Sequence, residues 1–123
     1  MRNVQGPTDL VVQVDRGDGE ASVTVSGEVD LSSSTDLRTC LRETLGEFRR
    51  VVVDLGGLTF IDSSGLSALV DAHRTARASG GVVVLRDPPA LLRRLLAITS
   101  LDSLLVLDPP ATPSSAPSTD GRG

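Results

Sequence analysis

Two runs of three valines, Val51–Val53 and Val82–Val84, are separated by a stretch with apolar residues three and four apart, and this pattern narrows the possible folds. An unbroken β-branched run suits a strand buried on both faces, the situation inside a parallel sheet. Parallel neighbours require a crossover of a dozen or more residues, and the helical spacing between the runs supplies one.

The same reading extends in both directions. LVVQVD from Leu10 to Asp15 is a short apolar strand, Arg16-Gly17-Asp18-Gly19 a turn, and Ala21 to Ser26 an alternating strand with Val23 and Val25 on one face, which predicts a hairpin. Gly27-Glu28-Val29-Asp30 leads out of it. Leu37, Cys40, Leu41, Thr44, Leu45 and Phe48 then recur at helical steps. Any of Ser32, Ser33 and Ser34 suits the cap, and Asp36 lies near the positive end. After Val51–Leu55 the pair Gly56-Gly57 loosens the chain, and Leu58 and Phe60 alternate. A second helix is expected from Ser63 to Ala78, with Leu66, Leu69, Val70, His73 and Ala76 inward and Ser79-Gly80-Gly81 ending it. Asp87 ahead of Pro88-Pro89 opens a third helix with Leu91, Leu92, Leu95, Leu96 and Ile98 on its apolar side, and Leu104 to Leu107 is a last strand.

The order β-β-α-β-α-β-α-β gives an α/β fold with a mixed, mostly parallel sheet of about five strands. One folded domain is expected over residues 10–108, after a lead-in at 1–9. Residues 109–123 are rich in Pro, Ser and Gly and are expected to be disordered.

Composition excludes several functions. All 12 basic residues are arginine, there is no Lys, Trp or Tyr, and net charge is −4. No lysine means no phosphate-loop, Schiff-base or receiver-domain lysine. Two phenylalanines and an acidic balance argue against nucleic acid. No apolar run is long enough to span a bilayer, no signal peptide is evident, and single Cys40 forms no internal disulfide, so the expected compartment is the cytoplasm. Cys40 lies on the apolar stripe and reads as a small buried hydrophobe. Neither a metal nor a cofactor is expected.

The most specific stretch is TFIDSSGL, residues 59–66, where a strand hands over to a helix. Free N–H groups and partial positive charge at a helix start suit an anion. Asp62-Ser63-Ser64 taken alone is more often a cap than a modification site. In its strand–motif–helix setting it reads as a phosphorylation site at Ser63, with Ser64 a secondary candidate. His73 stands ten residues on, about 15 Å along a helix, whereas a base must lie about 3 Å from its hydroxyl. The hydrolase elbow wants glycine where Ile61 stands. No enzyme is expected.

Three stretches, SGEVDLSSS, VVVDLGGLTFIDSSGLSALV and GVVVLRDPPALLRRLLAITSLDSLL, resemble the anti-sigma factor antagonists, the bacterial STAS domain, over roughly Leu10 to Leu107. The resemblance implies phosphorylation of Ser63 by an anti-sigma factor with serine kinase activity. It also implies that only the unphosphorylated form binds that partner and frees a sigma factor, and that a PP2C-type phosphatase restores binding. Gly27-Glu28-Val29-Asp30 matches the family's acidic turn, which puts Asp30 near Ser63. Asp30, Asp62, Ser64 and Gly65 are the expected partner contacts. Asp30 reads equally as a turn residue, a cap, or a group helping the kinase hold the serine or its metal-nucleotide. Gly65 is expected to keep the surface thin for the kinase. Arg93-Arg94 reads as a solvated face or a modest partner contact. The alternative is a STAS accessory or scaffold subunit of a transporter or sensory complex.

Overall fold

A computed structural model describes residues 10–108. The lead-in and the Pro/Ser-rich tail expected at the two termini lie outside the described residues. Strands β1 (Val11–Arg16) and β2 (Glu20–Val29) form the hairpin, followed by α1 (Leu31–Leu45), β3 (Arg50–Ile61), α2 (Ser63–Ala78), β4 (Val82–Arg86), α3 (Ala90–Ile98), a single 3-10 turn (Leu101–Ser103) and β5 (Val106–Asp108). The five strands lie side by side in chain order. β1 is antiparallel to β2, and every later pairing is parallel. Right-handed crossovers between strands laid down in one direction carry all three helices over the same sheet face. Their inward side chains accordingly meet in one core: Leu37 and Leu41 from α1, Leu69 and Ala72 from α2, Leu92 and Leu96 from α3, with Val51, Val53, Val83 and Leu85 beneath.

Val51, Val52 and Val53 are all 0% exposed, as an unalternated strand should be. β3 nevertheless runs on through Gly56-Gly57 to Ile61. It does so by bulging twice against β2: the register steps from Thr24↔Asp54 to Ser26↔Gly57, and from Gly27↔Leu58 to Glu28↔Phe60. Each step adds one residue on β3 and turns the following side chains over. Leu58 and Ile61 are therefore buried while Phe60 is 42% exposed, which corrects the expected alternation of Leu58 with Phe60. The five expected apolar residues of α3 also divide. Leu92 and Leu96 are fully buried and Leu95 packs at the core margin, but Leu91 and Ile98 face outward.

Candidate functional site

The site is built by the way β2 and β3 end. Val29 pairs with Ile61 in the last step of the parallel ladder, and the Asp62 N–H donates to the Val29 carbonyl at 3.2 Å. The next residues, Asp30 and Asp62, are the N-caps of α1 and α2. Two helix starts thus stand side by side at one end of the sheet, each headed by an aspartate in extended conformation.

Asp30 Oδ1 accepts from the Ser32 and Ser33 amides at 3.0 and 3.2 Å and from the Ser32 hydroxyl at 2.8 Å, while Ser33 Oγ accepts from the Asp30 N–H at 3.0 Å. This is a reciprocal capping box. The hydroxyl of Ser32, with the Ser33 hydroxyl and both amides, holds the Asp30 carboxyl below the usual carboxylate range against an opposing desolvation. The cap is therefore Asp30, not one of the serines, because β2 continues to Val29 and places the serines inside the first turn.

Asp62 does the same for α2, with Oδ1 accepting from the Ser64 and Gly65 amides at 2.9 and 3.2 Å. Ser63 is the first helical residue and is exposed, whereas Ser64 is half-buried. The amides expected to welcome a phosphate are thus already occupied by a carboxylate. An anion on Ser63 would gain little from this helix start and would stand beside Asp62. Gly65 is buried, and a Cβ there would lie 2.6 Å from Ile61 Cγ1 and 2.7 Å from Val29 Cγ1. Its small size seats the first turn of α2 on the strand ends; the expected thinning of the outer surface is not its role. An Arg38–Asp71 ion pair links α1 to α2 farther along.

The remaining reactive groups stand apart. His73 is buried, its Nδ1 has no hydrogen-bond partner among the described residues, and burial, then Arg77 and Arg74, lower its pKa from 6.5. It is ten residues from Ser63 on one helix, about 15 Å away. Cys40 packs at the core margin beside an open cleft of about 870 Å³ between α1 and β1, and burial raises its pKa. Arg93 is turned back onto its own helix start, its Nε donating to the Pro88 carbonyl at 3.1 Å. Among the described residues no group of three or more His, Cys, Asp or Glu could hold a metal ion, and no helix is long and apolar enough to cross a membrane. Leu31, the first residue of α1, is 77% exposed and was not singled out by the sequence. Its signal was an apolar residue directly behind a cap and off the buried stripe.

The family model described as Mlab, STAS domain, matches residues 12–107. The chain belongs to the STAS-domain family. Among its relatives, the anti-sigma-B factor antagonist of Bacillus subtilis strain 168 is 27% identical over 97 residues, covering 79% of this chain and 89% of that protein. The anti-sigma F factor antagonist of Paenibacillus polymyxa is 26% identical over 99 residues, 79% of this chain and 85% of the relative. An anti-sigma factor antagonist from Mycobacterium paratuberculosis superposes with a TM-score of 0.69 at 28% identity, over 85% of this chain and 89% of its own. The unphosphorylated form of SpoIIAA, at 18% identity, shares the fold with a TM-score of 0.64, over 79% and 86% of the two chains. The mixed five-stranded sheet with three helices is the STAS fold.

Proposed function

We propose that this STAS domain is an anti-sigma factor antagonist whose docking is switched by phosphorylation of Ser63. The observation that carries the reading is an exposed hydroxyl on the first residue of α2, at the sheet end where the Asp30 and Asp62 caps meet. Relatives named as antagonists at 26–28% identity support it. The partner is an anti-sigma factor with serine kinase activity, which supplies the metal-nucleotide, and a PP2C-type phosphatase reverses the modification. The domain itself is a regulatory binding protein and not an enzyme.

A phosphoserine carries about −1.5 to −2 charges. The neighbouring carboxylates do not offset it, and the nearest helix amides are taken. The dianion must then be stripped of water when a partner covers it, and a mismatched interfacial charge costs about 2–5 kcal/mol. That is a loss of tens- to thousands-fold in affinity, larger than the roughly 0.3–1 kcal/mol a helix dipole returns. Repulsion wins.

A pull-down with the unphosphorylated protein identifies the partner. Incubation with that kinase and ATP should add one phosphate by intact mass, absent in Ser63→Ala. Ser63→Asp should bind weakly and Ser63→Ala persistently. Equal labelling of Ser63→Ala would overturn the site. Co-purification of transporter subunits in place of a kinase would favour the scaffold role of a STAS accessory subunit.

A further inference from the structure

We propose that Leu31 is the apolar anchor through which the regulator that reads Ser63 grips this domain, an inference that rests on the reading of Ser63 above. Leu31 and Ser63 hold the same position, the first residue, on two helices whose caps follow the paired residues Val29 and Ile61. Adjacent strands lie about 4.8 Å apart. A protein surface large enough to cover the Ser63 hydroxyl therefore covers Leu31 as well.

Among the described residues Leu31 is 77% exposed and stands outside the core cluster. The staple that closes a helix start pairs the residue before the cap with the fourth helical residue, here Val29, which is fully buried, and Ser34. Leu31 is neither, and α1 turns Leu37, Leu41 and Leu45 to the core. The carboxylates beside it are already engaged on one oxygen each, Asp30 Oδ1 by the Ser32 and Ser33 donors and Asp62 Oδ1 by the Ser64 and Gly65 amides. Leu31 is a large, exposed apolar side chain at this end of the sheet that gains from being covered. The matching feature on the regulator is an apolar socket about one strand spacing from the point that meets Ser63 Oγ. Such a socket also accounts for the switch, since a dianion beside it would be dehydrated against carbon.

Affinity for the purified anti-sigma factor, measured by titration calorimetry, tests the assignment. Leu31→Ala should weaken binding by about tenfold to a hundredfold, with an unchanged melting curve, and Leu31→Met should restore most of it. Ile98, 72% exposed on the last residue of α3, lies at the opposite end of the sheet and serves as the control. Ile98→Ala should stay within about twofold of the unsubstituted protein. Leu31→Ala binding as tightly as the parent, while Ser63→Asp binds weakly, overturns the anchor and leaves the switch standing. Equal losses in Leu31→Ala and Ile98→Ala overturn it too. If the unsubstituted chain does not bind the anti-sigma factor, the reading of Ser63 falls and takes the anchor with it.

Discussion

Ser63 and Gly65 lie two residues apart on the first turn of α2 and answer to opposite demands. One is presented to solvent, and the other is pressed against Ile61 and Val29. For Gly65→Ala two effects compete. Alanine is the better helix former by about 1 kcal/mol, but its methyl would sit under 3 Å from two β-branched side chains anchored in the core. Overpacking of that kind costs about 1–3 kcal/mol and should prevail. Gly65→Ala is expected to melt several degrees lower, at roughly 4–8 °C per kcal/mol for a domain this size. A melting temperature equal to or above that of the parent would show that the strand ends yield. The larger consequence is for α2, whose start must move outward and carry Ser63 with it.

Each helix start depends on its aspartate. Asp62→Ala should destabilise the domain by about 0.5–2 kcal/mol, read by denaturant unfolding, whereas Asp62→Asn, an equally good cap, should recover most of the loss. Equal losses in both variants would mean that charge, and not the hydrogen bonds to Ser64 and Gly65, supports α2. The elements themselves were legible in the sequence where burial leaves a compositional mark. Three valines in a row with no polar partner suit an interior strand, and the bounds of α2 agree with its apolar spacing. Phe60 departs from the expected alternation because a bulge changes register without changing composition. The sequence leaves the α1 cap open between three serines and Asp30, and only the length of β2 decides in favour of Asp30. Leu91 and Ile98 look like core residues, but a nine-residue helix offers the sheet one ridge, which Leu92 and Leu96 fill. Within the candidate site, the Asp-Ser-Ser-Gly motif was readable directly. The adjacency of Asp30 and Asp62 follows from strand pairing over some thirty residues, which local sequence does not encode.

For the molecule as a whole, His73 sets how stability responds to mild acid. Its folded pKa lies below 6.5 because burial and then Arg77 and Arg74 oppose the imidazolium. In the unfolded chain it protonates near that value, so below it the unfolded state binds more protons and is favoured. Stability should therefore be level above about pH 7, fall as pH drops through the mid-sixes, and level off below the depressed folded pKa. Asp30, also depressed, adds a second loss only in strong acid, as pH falls through its folded pKa. His73→Leu also removes the unpartnered Nδ1 and should abolish the first step. Unfolding midpoints at pH 5 and 7 that differ as much in His73→Leu as in the parent would assign the step elsewhere. The paired helix starts have a consequence of another kind. To an enzyme that senses backbone shape alone, residues 31 and 63 are near-duplicates, two matching sockets of which only one holds a hydroxyl. Under the phosphorylation proposed for Ser63, fidelity would rest on the leucine at 31 as much as on the serine at 63, because the decoy offers nothing to attack.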